Sequence, residues 1–184
     1  MNANQAHPIA RLLDPQGHGV TPLPWEEAQA RIDAARFYFF TTVHPSGHPH
    51  TRPVLAVWAG GALFTTTTAT ARKGQNLRAD PRCSVAIMAD DMHIVIEGTA
   101  LPVKADATLE HVADAYRSKY DWPVTVVDGG FDAPYAAPAA GPPPYEPYEI
   151  NPTAVYGWGT NDIIGPRHTC WSFSPRDALG QPPR

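Results

Sequence analysis

The chain has 184 residues, 43% of them hydrophobic, and a formal net charge of −4, which suits one soluble domain with a filled core. The negative charge excludes a broad nucleic-acid surface, because binding to phosphate backbones requires cations clustered over a wide face. No apolar run reaches the roughly 18 residues that span a bilayer, and the N-terminus has no signal-peptide core. We therefore expect a cytoplasmic protein without membrane or nucleic-acid partners.

The first half of the chain alternates predicted strands with two short helices. Residues 1–23 hold few apolar anchors and are expected to form an N-terminal arm. Residues 24–36 are predicted to be a helix, because Pro24 suits a first turn and apolar residues recur at helical spacing. Strands are predicted at residues 37–43, 51–58 and 62–67, followed by a helix over residues 72–79; Gly60-Gly61 joins the last two strands.

The second half of the chain contains four more predicted strands and one helix, and a proline-rich segment lies between that helix and the last two strands. Strands are predicted at residues 83–89 and 93–103, a helix at residues 106–120, and closing strands at residues 148–160 and 168–174. Residues 133–147 contain six prolines, which favour extended backbone, so this segment either lies over a neighbouring subunit or is an exposed linker. Residues 24–174 are thus predicted to form one mainly β, α+β domain built on an antiparallel barrel, with residues 175–184 as a tail.

A basic pair, Arg72 and Lys73, stands where a threonine-rich strand gives way to a short helix. Cations are disfavoured at a helix N-terminus, whereas the free N–H groups there attract anions. The pair therefore indicates an anion nearby, and a phosphate-bearing ligand is the natural candidate. The alternative is a solvated helix start with no ligand.

The order of these parts closely resembles the flavin-binding split β-barrel family that includes pyridoxamine 5'-phosphate oxidase. The resemblance covers about residues 24–120, and residues 148–173 more loosely. Its motifs are the hairpin at residues 41–54, Phe64-Thr65-Thr66, Ala71-Arg72-Lys73-Gly74, Asn76-Leu77, Asp80-Pro81-Arg82 and Val95-Ile96-Glu97-Gly98. The resemblance implies an antiparallel split β-barrel of the FMN-binding type, a homodimer with its active site at the interface, and a flavin-dependent oxidoreductase.

The resemblance also implies which residues contact the cofactor. Lys73 and Arg72 would bind its phosphate with help from the Asn76 amide, and Trp171 would lie over the ring. The full predicted set is Arg52, Pro53, Val54, Thr65, Thr66, Thr67, Arg72, Lys73, Asn76 and Trp171. Two alternatives stay open at this stage: Arg52 could instead pair with Glu97, and the late aromatic residues could instead be barrel or interface packing.

The sequence departs from the oxidase pattern at two positions. Val57 stands where the oxidases have a phosphate-binding lysine, and Cys170 stands where their closing strand has an arginine. The C-terminal substrate motif of the oxidase is not visible after Trp171, so the resemblance does not extend to its activity. FMN is the expected cofactor, with the deazaflavin coenzyme F420 as an alternative and a non-catalytic flavin- or haem-binding protein as another.

Neither a catalytic residue nor a substrate is identified by the sequence. His44, His48 and His50 crowd one hairpin, but no carboxylate or thiol joins them, so no metal site is expected. Cys83 and Cys170 lack metal-type spacing and are expected to be reduced thiols.

Overall fold

The computed structural model describes residues 8–14, 19–137 and 140–173, so the predicted tail and parts of the predicted arm lie outside the described residues. The helices of the described chain are α1 (Trp25–Ala34), α2 (Arg72–Ala79), α3 (Asp106–Tyr120) and a 3-10 helix, Gly165–Arg167. None of them is long and apolar enough to cross a membrane. The strands are β1 (Ile9–Leu12), β2 (Tyr38–Val43), β3 (Pro49–Val54), β4 (Ala56–Ala59), β5 (Ala62–Thr67), β6 (Arg82–Met88), β7 (Met92–Pro102), β8 (Thr125–Val127), β9 (Gly130–Asp132), β10 (Glu146–Gly159) and β11 (Thr169–Ser172).

One curled antiparallel sheet organises the chain. Its strand order is β1-β11-β10-β7-β6-β2-β3, with β4 paired to β5 and β5 paired to β10. The long strand β10 pairs with β5 through its first residues and with β11 through its last, while β7 runs along its other edge. A bulge between Pro152 and Ala154 lets this strand serve both parts of the sheet. The predicted mainly β, antiparallel architecture with short flanking helices is confirmed.

The protein has two apolar cores on the two sides of the β4–β5 hairpin. The first fills the barrel with side chains such as Tyr38, Phe40 and Ile94, and α1 packs on it. The second lies between α3 and the outer side of the hairpin and includes Val57 and Phe64. Because side chains alternate along a strand, β4 and β5 are buried on both faces.

The predicted single strand over residues 51–58 is wrong. The chain breaks at Leu55, so that β3 pairs with β2 while β4 pairs with β5. The Thr65 hydroxyl donates a hydrogen bond to the Leu55 carbonyl at 3.0 Å, which satisfies the backbone at the break. The chain thereby crosses from one part of the barrel to the other without a loop.

The predicted N-terminal arm includes an additional edge strand. Strand β1 pairs with β11, and its side chains are mostly exposed, so it carries no apolar alternation that would reveal it. Leu23, near the start of α1, is buried, and its N–H donates to the Thr169 hydroxyl at 3.0 Å. The end of the predicted arm is therefore attached to the barrel.

A second unpredicted feature is the β8–β9 hairpin. Its turn residues Asp128 and Gly129 both have positive φ, at 50° and 74°. Asp-Gly is the typical dipeptide of such two-residue turns, so the sequence did contain the signal.

The proline-rich segment packs against its own chain. Tyr145 is buried, forms a β-bridge with Phe131, and belongs to the second core. The Trp122 indole donates to the Tyr135 carbonyl at 3.1 Å, which fastens the segment near the end of α3. The interpretation of this segment as an exposed linker is wrong for its buried residues, because aromatic packing holds them in place.

Candidate functional site between β3 and α2

Strand pairing places three side chains of β3 on the barrel side of the sheet. Residues opposite each other in an antiparallel pair point to the same face. The relevant pairs are His50 with Thr42, Arg52 with Phe40, and Val54 with Tyr38. The three β2 residues are buried, so their β3 partners share the inner face, whereas Pro53 is paired with Phe39 on the outer face.

The first turn of α2 lies unusually close to the end of β5. A Cβ added to Gly74 would stand 2.5 Å from the Thr68 carbonyl oxygen, so only glycine permits this approach. The N–H of Ala71 donates to the Thr68 hydroxyl at 3.2 Å, which sets the direction in which the helix begins. An α-helix leaves its first N–H groups without intrahelical acceptors, and here those groups belong to Arg72, Lys73 and Gly74.

Asn76 attaches α2 to β2. Its side chain is fully buried, and its amide nitrogen donates to the Thr42 hydroxyl at 2.9 Å. The Thr42 hydroxyl also lies 3.5 Å from the His50 carbonyl, so it can accept from Asn76 and donate to His50. Asn76 is therefore a positioning residue for α2, and its predicted contact with phosphate stays a prediction.

The cations of β3 and α2 are close enough to affect one another's ionisation. Desolvation lowers the pKa of the half-buried Lys73, and the charge of Arg52 lowers it further. Desolvation also lowers the pKa of His50, followed by the charges of Arg52, Lys73, Arg72 and His44. We call Arg52, Arg72 and Lys73 the cationic site.

The cationic site has no internal counter-ion among the described residues. None of its three members forms an ion pair there, and Arg52 donates to the Thr51 carbonyl at 2.8 Å. The alternative pairing of Arg52 with Glu97 is wrong, because β3 is an edge strand separated from β7 by β2 and β6. Clustered like charges without a partner, one of them partly desolvated, are typical of sites that bind an anion.

The other arginines near α2 are neutralised by the chain's own carboxylates. Arg78 pairs with Glu146 at 3.1 Å and also donates to the Ala69 carbonyl. Arg82 pairs with Asp80 at 2.6 Å. The uncompensated charge is therefore confined to the N-terminal end of α2 and the adjacent part of β3.

The three predicted threonines divide between the faces of β5. Thr65 and Thr67 are buried, and their hydroxyls donate to the carbonyls of Leu55 and Thr68 at 3.0 and 3.4 Å. Thr66 is half-buried and, by strand alternation, faces the other way. The hydroxyls of Thr65 and Thr67 are thus engaged by backbone, while all three residues lead directly into the turn before α2.

Trp171 lies in the barrel core, apart from the cationic site. Its side chain is fully buried, its indole N–H donates to the Leu23 carbonyl at 2.9 Å, and its ring lies 5.9 Å from that of Trp25. On β11 it stands opposite Val155, another inward-facing residue. The structure thus places Trp171 in the core of the single chain, and we expect no contact between its ring and the cofactor.

His50 is the residue of this region that the sequence interpretation missed as a site residue. It precedes Arg52 by two positions, so both side chains share one face of β3. Its Nδ1 atom is buried and has no hydrogen-bond partner among the described residues. Period-two spacing from Arg52 was the signal that could have identified it.

Comparison with known proteins identifies the family of the chain. Residues 24–159 match the family described as pyridoxamine 5'-phosphate oxidase. No curated protein matches the chain at a significant level.

Solved structures with the same fold carry different functions. A conserved hypothetical protein from Mycobacterium tuberculosis has a TM-score of 0.60 and 20% identity, with 79% of this chain and 90% of that chain covered. A haem-binding protein from Mycobacterium smegmatis has a TM-score of 0.54 and 19% identity, with 80% and 61% covered. A protein named F420 reductase has a TM-score of 0.51 and 22% identity, with 69% and 94% covered.

At these identities the solved structures show the fold, and the fold alone does not fix the function. The family match extends over most of the chain and includes β2 to β10, hence both elements of the cationic site. The predicted antiparallel split β-barrel is confirmed, and the chain belongs to the pyridoxamine 5'-phosphate oxidase-like family of split β-barrel proteins.

Proposed function

We propose that the protein binds FMN by its phosphate at the cationic site and acts as a flavin-dependent oxidoreductase. The observation that carries this proposal is that Arg52, Arg72 and Lys73 converge from two elements without a carboxylate partner among the described residues. A phosphate meets these charges and also the free N–H groups at the start of α2. Membership of a family that includes flavin-binding proteins supports the same ligand class.

The chain's own residues fit such a ligand in four ways. Lys73 supplies a partly desolvated ammonium, which makes a stronger charge-assisted hydrogen bond than an exposed one. Gly74 lets the helix N–H groups lie directly after the strand end. Pro53 and Val54 are proposed to lie along the ring, and Asn76 keeps α2 in register with β2. A bound flavin supplies hydride transfer, so the protein's task is to bind it, orient the substrate and exclude water.

The charge distribution supports FMN over coenzyme F420. The glutamyl tail of the deazaflavin is anionic and would require a longer cationic groove. Arg78 and Arg82, which could extend such a groove along α2, are paired with Glu146 and Asp80. A compact site of three cations matches a single phosphate better.

Spectroscopy of the purified protein tests the proposal. The protein is incubated separately with FMN, coenzyme F420 and haem, freed of excess ligand, and examined by absorbance and mass spectrometry. Retained FMN that a nicotinamide donor reduces and an organic acceptor reoxidises supports the oxidoreductase. Retained but unreactive flavin supports the non-catalytic alternative, and a Soret band or selective retention of F420 contradicts the choice of FMN.

The outer face of the sheet supports the proposed homodimer. A transverse row of apolar residues crosses five strands in register: Pro53, Phe39, Ala86, Val95 and Tyr156. Phe39 and the neighbouring Trp158 are exposed in the single chain. We call this row the apolar strip. It includes Pro53, the immediate neighbour of Arg52, so a second copy packed on the strip would also border the cationic site.

We expect Phe39→Asp to convert a dimer into a monomer, because a carboxylate within a packed apolar strip loses its hydration. Light scattering at micromolar concentration measures this, with Val127→Asp as the control. Val127 is 47% exposed and Phe39 is 44% exposed, but Val127 lies on the β8–β9 hairpin away from the strip. A monomeric wild-type protein with FMN bound would contradict the shared-site arrangement.

A further inference from the structure

His50 has a buried ring nitrogen that the fold does not use. Its Nδ1 atom is shielded from solvent and lacks a hydrogen-bond partner among the described residues. A buried polar atom of this kind costs free energy unless a ligand or ordered water satisfies it. The backbone that carries the ring is held in place because the His50 carbonyl accepts from Thr42, which in turn accepts from Asn76.

The ring of His50 lies on the same side of β3 as Arg52 and beside the start of α2. The charged or titratable groups that act on it are Arg52 from its own strand, Arg72 and Lys73 from α2, and His44 from the turn between β2 and β3. Across Thr42 the next strand presents Cys83, whose thiol is neutral because burial raises its pKa to about 12. All the charges around His50 in the described chain are therefore positive, and none is neutralised by a nearby carboxylate.

We propose that His50 is a fourth ligand of the anion at the cationic site, and that its ring becomes protonated when a dianion binds. Without an anion, desolvation and then the surrounding cations disfavour the protonated imidazole. A bound dianion reverses the local potential, and the protonated ring then adds an N–H donor and a positive charge. Binding therefore takes up a proton. This inference deepens the proposed function and rests on the anion site proposed there.

The sign of the resulting pH dependence follows from this linkage. If the anion raises the pKa of His50, affinity increases as the pH falls through the pKa of the complex and levels off below the pKa of the free protein. A rise of one unit corresponds to about a tenfold gain in affinity. Lys73 loses its charge at higher pH than a histidine, so its contribution is separate and persists when His50 is replaced.

Inorganic sulfate is the suitable probe, because it stays a dianion where the FMN phosphate, with a second pKa of about 6, would itself take up a proton. Sulfate affinity is measured by calorimetry between about pH 9 and about pH 6 in buffers of different ionisation enthalpy. We expect about a tenfold increase in affinity and net proton uptake for the wild type. His50→Gln should lose most of both and keep only the part that Lys73 contributes at the alkaline end, while His48→Gln, on an exposed position of the same hairpin, should retain both.

NMR titration of the wild-type imidazole gives a second readout that needs no variant. Saturating sulfate should raise the pKa of His50. An unchanged pKa of His50, equal pH dependence in His50→Gln, or failure of sulfate to bind would each overturn the inference. Sulfate binding with proton uptake in a protein that does not retain FMN would uphold the inference and refute the proposed function.

Discussion

Replacing Trp171 with alanine should lower the free energy of unfolding by about 3–5 kcal/mol, the range for removing a large aromatic side chain from a core. Trp171 is fully buried, packs on Trp25, and donates its indole N–H to the Leu23 carbonyl. The substitution removes these contacts and leaves that carbonyl without its donor. Urea denaturation followed by far-UV circular dichroism measures the change.

The control for this prediction is Trp158→Ala. Trp158 is exposed on the outer face of the sheet. Its replacement should therefore lower the free energy of unfolding far less than Trp171→Ala does, when the two variants are compared in the same oligomeric state. The FMN affinity of folded Trp171→Ala should equal that of the wild type. Normal stability combined with weakened FMN binding would restore Trp171 to the cofactor site.

Replacing Lys73 with alanine should weaken FMN binding by about 1.5–3 kcal/mol, or roughly 10- to 150-fold, the range for a charge-assisted hydrogen bond. The free energy of unfolding of unliganded Lys73→Ala should equal that of the wild type or be slightly higher. Lys73 is partly desolvated beside Arg52, and both effects lower its pKa, so its positive charge opposes folding when no anion is bound. Calorimetric titration with FMN and urea denaturation of the unliganded protein measure the two quantities.

Lys104→Ala is the matched control, because Lys104 is an exposed lysine ahead of α3 and its replacement removes the same charge from elsewhere on the surface. Lys104→Ala should change neither the FMN affinity nor the free energy of unfolding of the unliganded protein. A loss of stability in Lys73→Ala with unchanged FMN affinity would mean that Lys73 is structural and would remove it from the site.

Local sequence signals predicted several elements to the residue. The predicted bounds of the strand at residues 62–67 and of the helices at residues 72–79 and 106–120 agree with β5, α2 and α3. Each signal is local, such as the Gly60-Gly61 turn before β5 or the spacing of apolar residues along α3. The break at Leu55 could not be predicted in this way, because the sequence of residues 51–58 predicts one uninterrupted extended run, and only the separate pairing of β3 with β2 and of β4 with β5 divides it.

In the candidate site too, some features could be predicted from local sequence and others depend on the folded chain. Arg72 and Lys73 were identified from their place at a helix start, and Arg52 from the family resemblance, but nothing local showed that these three share one uncompensated site. Trp171 was placed over the ring by resemblance, but a motif does not distinguish an aromatic ring that faces a ligand from one that faces the core. Its pairing with Val155 on β10, which places its ring in the core, exists only in the folded chain.

The most direct test of the anion site compares FMN with riboflavin, which lacks the phosphate, on the wild type and on Lys73→Ala. The difference between the two ligands isolates the interaction of Lys73 with the phosphate. We predict that the wild type prefers FMN by at least about 1.5 kcal/mol, that the substitution removes most of this preference, and that riboflavin affinity is unchanged. If Lys73→Ala lost affinity equally for FMN and riboflavin, or if the wild type showed no preference for FMN, phosphate binding at the cationic site would be contradicted.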